Sequence, residues 1–125
     1  MERQKRGRMI IRIKNLHLRT LVGINEWERR EFQEVLVNVE MELDGKKAAA
    51  TDSIEDTVDY KKVTKRVIAG VEKAKFGLID ALAHHVLDLV MQEEKVVRAR
   101  VEVDKPHALR FADSVSVACS AERNS

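Results

Sequence analysis

The sequence predicts a single α+β domain in which two helices cover one face of a four-stranded antiparallel sheet, in the order ββααββ. Three observations lead to this fold class. Two segments alternate apolar and polar residues, two others repeat apolar residues at helical spacing, and strand-like runs lie on both sides of the helical pair. With 125 residues the chain can bury about two thirds of its unfolded surface in one core, which we expect within residues 9–122.

The first two strands are predicted before the helices. The first runs from Met9 to Val22, and the second covers residues 34–44. In the second strand every odd position is apolar, whereas charged or amide side chains hold most of the even positions. Such a strand has one solvent-exposed face, which is typical of an antiparallel sheet that is covered on its other face.

Between residues 60 and 90 the apolar spacing becomes that of two amphipathic helices. The apolar positions are Tyr60, Val63, Val67, Val71 and Ala74 in the first helix and Ile79, Leu82, Ala83, Val86, Leu89 and Val90 in the second. Asp59 is the predicted N-cap of the first helix, and Gly77 separates the two helices.

The last two strands follow the helices, at residues 96–104 and 114–121. Lys105 comes directly after the third strand and before Pro106, with the same parity as Val101 and Val103. Its ammonium therefore projects from the side of the strand that is predicted to be buried. Such a lysine can reach out to solvent, pair with a carboxylate or transfer protons in a pocket, and spacing alone favours the solvated lysine.

Composition and charge narrow the class of protein. Charged residues make up 35% of the chain but the net charge is only +2, which favours a soluble globular protein without a nucleic-acid or membrane partner. Basic residues cluster in residues 1–8, a flexible tail that lacks the interleaved aromatic residues of a nucleic-acid binder. No apolar run is long enough to span a bilayer, and the single Cys119 in an apolar run fits a reducing cytoplasm.

The sequence contains no convincing metal-binding or phosphate-binding motif. His84 and Asp88 lie one helical turn apart, but the adjacent His85 points about 100° away from His84, so no metal site is predicted. The five glycines form neither of the common glycine-rich loops that hold nucleotide phosphates.

Four polar residues stand in loops or at the ends of elements, where sites are usually built. They are Glu28, Tyr60, Asp80 and Lys105. Each has an ordinary structural explanation: loop solvation, a core residue at a helix start, a favourable charge at a helix N-terminus, and a solvated strand end. Spacing alone favours these explanations.

Four blocks of sequence together resemble one family. The blocks IRIKNLHLRTLVGI, IEDTVDYKKVTK, KFGLIDALAHHVLDL and VEVDKPHALRFADSVSV are similar to the dihydroneopterin aldolase family, most closely to its branch of dihydroneopterin triphosphate 2′-epimerases. The resemblance extends from about residue 10 to residue 120. It implies the tunnelling fold (T-fold), a homo-oligomer of tetrameric rings that stack into an octamer, and active sites between neighbouring subunits.

The resemblance also implies roles for particular residues. Lys105 matches the catalytic lysine, Tyr60 matches its acid–base partner, and Glu28 matches the glutamate five residues after Gly23. Asp80 matches the acid that anchors the pterin ring, which is usually a glutamate and thus one methylene longer. The remaining substrate-binding positions are Ile79, Val58, Gln33, His107 and Arg110.

The implied chemistry is retro-aldol cleavage of the C1′–C2′ bond in a dihydropterin side chain. The ring C=N bond takes up the electrons, so neither a cofactor nor a metal is implied. If the aldehyde re-adds through its other face, the protein is a 7,8-dihydroneopterin triphosphate 2′-epimerase. If the aldehyde leaves, the protein is a 7,8-dihydroneopterin aldolase that yields glycolaldehyde and 6-hydroxymethyl-7,8-dihydropterin in folate biosynthesis. A non-catalytic module that binds a pterin or purine is the third alternative.

The block HALRFADSV after the lysine is typical of the epimerase branch. That branch accepts a triphosphate tail, for which the candidate contacts here are His107, Arg110, Lys61, Lys62, Arg29 and Arg30. Ordinary solvated charge explains each of these residues at least as well.

Overall fold

The computed structural model describes residues 7–123 and contains the following elements. The strands are β1 (Arg8–Val22), β2 (Gln33–Asp44), β3 (Lys75–Phe76), β4 (Arg98–Pro106) and β5 (Ser114–Glu122). The helices are α1 (Lys46–Thr51), α2 (Tyr60–Glu72) and α3 (Ile79–Met91), and short 3-10 turns lie at Trp27–Arg29 and Ile54–Asp56.

The strands form one sheet in the order β3-β1-β2-β4-β5. Four of them pair antiparallel, while β3 runs parallel to the end of β1, where Leu21 pairs with Lys75. The predicted α+β class is confirmed, and the structure adds β3 and α1 to the predicted elements. A strand of two residues and a helix of six are too short for their periodicity to be read from the sequence.

The core lies between the sheet and helices α2 and α3. Val39 of β2 pairs with Val101 of β4, and both are fully buried together with Val67 of α2 and Val86 of α3. Full burial of each such side chain contributes roughly 1.5–3 kcal/mol to folding. The alternating apolar residues therefore form the packed side of the sheet. Lys105 lies near the C-terminal end of β4, which belongs to this sheet.

Both ends of α2 are fixed by side-chain hydrogen bonds. Asp59 accepts hydrogen bonds from the backbone N–H groups of Lys61 and Lys62 at 3.1 and 3.3 Å, so its predicted role as N-cap is confirmed. At the other end the buried Thr20 hydroxyl lies 2.8 Å from the carbonyl oxygen of Val71. This bond attaches the end of α2 to β1, next to the short strand β3.

The structure describes only the end of the predicted N-terminal tail. Strand β1 begins at Arg8, and the Gly7 carbonyl accepts a hydrogen bond from Gly45 at 2.8 Å. The rest of the predicted tail, residues 1–6, lies outside the described residues. Over residues 7–123 no helix combines the length and the hydropathy that a bilayer crossing requires.

Candidate active site

A cleft of about 210 Å³ opens where β1, β4 and the start of α3 meet. Its walls are contributed by Val22, Gly23, Ile24, Glu28, Gly77, Leu78, Ile79, Asp80, Lys105, Ala108 and Val115. Three of the four residues at loops and element ends that the sequence singled out are therefore brought to one place, although they come from different elements.

The Glu28 and Lys105 side chains form an ion pair inside this cleft. Lys105 Nζ donates a hydrogen bond to Glu28 Oε2, and their side chains are only 14% and 6% exposed. The parity of β4 explains the direction of Lys105, since Val101 and Val103 on the same side are completely buried. Of the three alternatives for Lys105, the structure shows pairing with a carboxylate.

The turn that carries Glu28 is built around its carboxylate. Glu28 Oε1 accepts a hydrogen bond from Asn25 Nδ2 at 2.7 Å and a second from the Asn25 backbone N–H at 3.2 Å. Gly23 has a φ of +140°, and a Cβ at this position would overlap the Glu28 carboxylate. Residue 23 must therefore be glycine both for its backbone conformation and for the close approach of Glu28.

Burial and the neighbouring donors act in opposite directions on the ionisation of Glu28. Burial would raise the pKa of Glu28, but the hydrogen bonds from Lys105 and Asn25 and the positive charge of Lys105 together hold that pKa below its ordinary value. Glu28 is consequently an anion at neutral pH, with one oxygen held by Asn25 and the other by Lys105.

The opposite wall of the cleft is the N-terminus of α3. Leu78 has an extended backbone and no side-chain oxygen to cap the helix, so the first N–H groups of α3 remain available to a ligand. Ile79 and Asp80 follow directly and also line the cleft, with Asp80 exposed. The start of α3 thus offers backbone donors and a carboxylate acceptor side by side.

Three other predicted site residues do not line this cleft. Tyr60, at the start of α2, is 51% exposed. Val58 is fully buried in the core. Gln33 is nearer to the cleft, because its Nε2 donates a hydrogen bond of 2.7 Å to the carbonyl oxygen of Val22, which is a lining residue.

The remaining two predicted residues lie in the loop after β4. His107 has a positive φ of +66°, and both His107 and Arg110 are exposed. The Arg110 guanidinium stacks over the ring of Phe111 at 5.8 Å, and that ring is 96% exposed. Only Ala108 of this loop lines the cleft within the single chain.

The histidines of α3 lie away from the cleft. His84 Nδ1 is 3.4 Å from Asp88 Oδ2 on the exposed side of the helix, and the His85 ring packs against Phe76. Between residues 7 and 123 no three His, Cys, Asp or Glu side chains are grouped as potential metal ligands.

Sequence reasoning missed Asn25. Its spacing three residues before Glu28 is compatible with a side-chain contact across one turn, but a lone Asn in a polar loop gives no sign of its partner. Gly23 was noted only as a reference point for Glu28, whereas its missing side chain makes room for the Glu28 carboxylate.

Comparison with known proteins gives one consistent result. A sequence model of the family described as dihydroneopterin aldolase matches residues 11–120. The dihydroneopterin triphosphate 2′-epimerase of Escherichia coli (strain K12) is 45% identical over 114 residues, which cover 91% of this chain and 95% of that protein. The dihydroneopterin aldolase of the same strain is 31% identical over 108 residues, covering 86% and 88%.

The solved structures agree with the sequence comparison. The crystal structure of Escherichia coli dihydroneopterin aldolase in complex with neopterin has a TM-score of 0.86 and 29% identity, and the match covers 90% of this chain and 98% of that one. The family and the fold expected from the four sequence blocks are therefore confirmed.

Proposed function

Because this chain belongs to the dihydroneopterin aldolase family, we propose that it is a 7,8-dihydroneopterin triphosphate 2′-epimerase that works by retro-aldol and aldol steps at C1′–C2′. The observation that carries this proposal is the buried Glu28–Lys105 pair, which faces the start of α3 across a cleft. Acid–base groups and a ring-binding edge are thereby combined in one site.

We assign the ring to the α3 side of the cleft. The amino-pyrimidinone edge of a pterin presents two parallel N–H donors, and a carboxylate such as Asp80 can accept both. The free backbone N–H groups at the start of α3 suit the ring carbonyl. Ile79 contributes apolar contact beside them.

The Glu28–Lys105 pair then lies where the trihydroxypropyl side chain is processed. The unprotonated amine of Lys105 accepts the C2′ hydroxyl proton, directly or through water, while Glu28 holds side-chain hydroxyl groups. As that proton leaves, the C2′–O bond becomes a carbonyl and the C1′–C2′ bond breaks. Its electrons pass toward the ring C=N bond, whose nitrogen takes up a proton, and an enamine remains beside the aldehyde.

Inversion and release differ only after this step. If the aldehyde turns its other face and re-adds to C1′, C2′ is inverted; if the enamine is protonated and the aldehyde leaves, the product is 6-hydroxymethyl-7,8-dihydropterin. The greater identity to the epimerase, 45% against 31% for the aldolase, supports inversion as the main reaction. The aldolase reaction is the second candidate because the first step is shared and the matching family model carries that description.

The phosphate tail is assigned to the loop after β4. Arg110 and His107 are both exposed there, and a guanidinium can bind phosphate oxygens in bidentate fashion. Their position beyond the end of β4 is compatible with a tail that extends outward from Lys105.

We further propose that the complete site forms between subunits of a homo-oligomeric ring. Exposed apolar side chains of the single chain include Ile24 and Leu78 at the cleft, and Leu109 and Phe111 in the loop after β4. In the described part of the sheet β5 is an edge strand, and the outer side of β1 pairs only at Leu21 and Val22. Open edges of this kind can join head to tail, so that a neighbour brings Tyr60 to the Glu28–Lys105 pair. Two stacked tetramers and a cytoplasmic location remain predictions.

The direct test is to incubate the pure protein with 7,8-dihydroneopterin triphosphate and with 7,8-dihydroneopterin, and to identify the products. We expect the 2′-epimer of the triphosphate to form faster than 6-hydroxymethyl-7,8-dihydropterin forms from the unphosphorylated compound. Faster release of glycolaldehyde would replace the epimerase assignment by the aldolase. Binding of pterin without any turnover would instead favour the non-catalytic module.

The subunit arrangement has its own test. Tyr60→Phe and Lys105→Ala protomers are unfolded together, refolded as mixed rings and assayed beside each variant alone. If Tyr60 and Lys105 of one site come from different subunits, about a quarter of the sites in a random one-to-one mixture are intact. Mixed rings no more active than the separate variants would show that both residues act within one chain.

A further inference from the structure

We infer that Asn25 is a positioning residue that holds the Glu28 carboxylate in the orientation required for its contact with Lys105. This inference rests on the proposed function, because it assigns Asn25 a part in the same reaction. Asn25 itself does not line the cleft, so it acts through Glu28 and not on the substrate.

The geometry divides the two oxygens of Glu28 between two partners. Asn25 directs both its side-chain and its backbone N–H groups to Oε1, at 2.7 and 3.2 Å, and Lys105 donates to Oε2. A carboxylate at the end of a flexible side chain could otherwise rotate about its terminal bond. With one oxygen held by Asn25, the plane of the carboxylate is fixed so that the other oxygen points to Lys105.

The other neighbours of Glu28 further restrict the orientation of its carboxylate. Gly23 packs against the carboxylate from the side of β1, without space for even a methyl group. The charged groups that face the cleft from the other elements are Lys105 on β4 and Asp80 on α3. Lys105 is the cation among them, and Asn25 adds neutral donors that also stabilise the Glu28 anion.

Loss of the Asn25 amide should therefore change both the orientation and the titration of Glu28. In Asn25→Asp the side chain keeps its shape, but an oxygen replaces the Nδ2 donor and repels Glu28 Oε1. In Asn25→Ala the side-chain donor is missing while the backbone N–H remains. In both variants burial of Glu28 is opposed by fewer donors, so the pKa of Glu28 should rise.

The experiment compares wild type, Asn25→Asp and Asn25→Ala with the control Asn38→Asp. Asn38 exchanges hydrogen bonds with Asn15 on the sheet, at 2.8 and 3.2 Å, and takes no part in the cleft. We would measure kcat and KM for the triphosphate as functions of pH. The titration of the Glu28 carboxyl carbon would be followed by ¹³C NMR.

For both Asn25 variants we expect kcat to fall about 10- to 100-fold, as for a lost charge-assisted hydrogen bond next to reacting groups. KM should change little, the acidic limb of kcat/KM should move to higher pH, and the Glu28 titration should move with it. Asn38→Asp should match wild type in all four measurements.

Two outcomes would separate the possible errors. If the wild-type protein turns over the substrate while Asn25→Asp shows an unchanged acidic limb of kcat/KM and an unchanged Glu28 titration, the positioning role alone is overturned. A lower kcat of Asn25→Asp would in that case reflect structural damage. Absence of turnover by wild type on both dihydropterins would overturn the proposed function, and the role of Asn25 in it, whatever the NMR titration showed.

Discussion

Replacement of Lys105 by methionine should reveal how strongly the pair in the cleft is coupled to folding. Methionine keeps the length and much of the apolar stem of lysine, so the packing at the end of β4 is retained. The variant nevertheless leaves the Glu28 carboxylate buried without its cation. We expect Lys105→Met to lose turnover and also stability.

The size of the stability loss can be worked out from the surroundings of Glu28. Removal of one partner from a fully buried pair typically costs about 3–5 kcal/mol. Here the pair lines an open cleft, and Asn25 still donates two hydrogen bonds to Glu28. We therefore expect a loss of about 2–3 kcal/mol at pH 7, below the range for a fully enclosed pair.

The loss should depend on pH in a defined direction. In wild type the folded-state pKa of Glu28 is lowered, so the pair stabilises the fold above the ordinary Glu value of about 4.3 and this contribution disappears as the pH falls through the folded-state pKa. Without Lys105, burial should raise the pKa of Glu28, which favours the folded variant at low pH. The difference between wild type and Lys105→Met should thus be largest near neutrality and shrink below about pH 4.

Urea unfolding at pH 7 and pH 4, at one fixed protein concentration because of the proposed oligomer, measures this difference. The double variant Lys105→Met/Glu28→Gln should recover most of the stability but no turnover, since no buried charge is left alone. Lys47→Met is the matched control, because it removes the lysine of an ion pair in which the Lys47 side chain is 77% exposed. A loss for Lys105→Met that is no larger than that of the control, or that grows at low pH, would refute the coupling.

The further predictions concern the substrate. Asp80→Asn should weaken binding of a product pterin by about 1.5–3 kcal/mol in titration calorimetry, because the amide cannot accept two hydrogen bonds from the ring; equal affinity would remove the anchoring role. Asp80→Glu should bind at least as well as wild type if the shorter acid is a compromise, and worse if the cleft has contracted around it. Arg110→Ala should lower kcat/KM for the triphosphate much more than for dihydroneopterin, and added salt should reduce the wild-type preference for the triphosphate; equal losses on both substrates would indicate a structural role for Arg110.

The main elements of the fold could be predicted because each long segment shows a single period. Alternation in β2 and β4 and the helical spacing of α2 and α3 all correspond to buried faces in the structure. Strand β3 could not be predicted, because Lys75 and Phe76 pair with residues of β1 that are far away in the sequence. Its position depends on a tertiary contact, such as that of Thr20 with the end of α2, and not on local sequence.

The candidate site was predictable only in part. Parity along β4 correctly indicated that Lys105 points to the buried side. No local pattern identifies Glu28 as its partner, since the two residues are 77 positions apart. The family resemblance placed Glu28, Asp80 and Lys105 in one site, but it did not pair Glu28 with Lys105. It could not supply Asn25, whose importance follows from the two hydrogen bonds that it donates to one oxygen of Glu28.

The exposure of the site residues divides the site into two parts. Glu28 is buried, the Lys105 side chain is only 14% exposed, and the two meet within one chain, so their mutual orientation is set before any substrate or neighbour arrives. Tyr60, Asp80 and Arg110 are exposed, so in the proposed site each would have to be covered by substrate or by a neighbouring subunit before it could act in a desolvated environment. An aldehyde that must stay long enough to turn over and re-add needs a closed cleft, whereas an aldehyde that simply leaves does not. The choice between inversion and release should therefore depend more on the groups that cover the cleft than on the Glu28–Lys105 pair, which both reactions share.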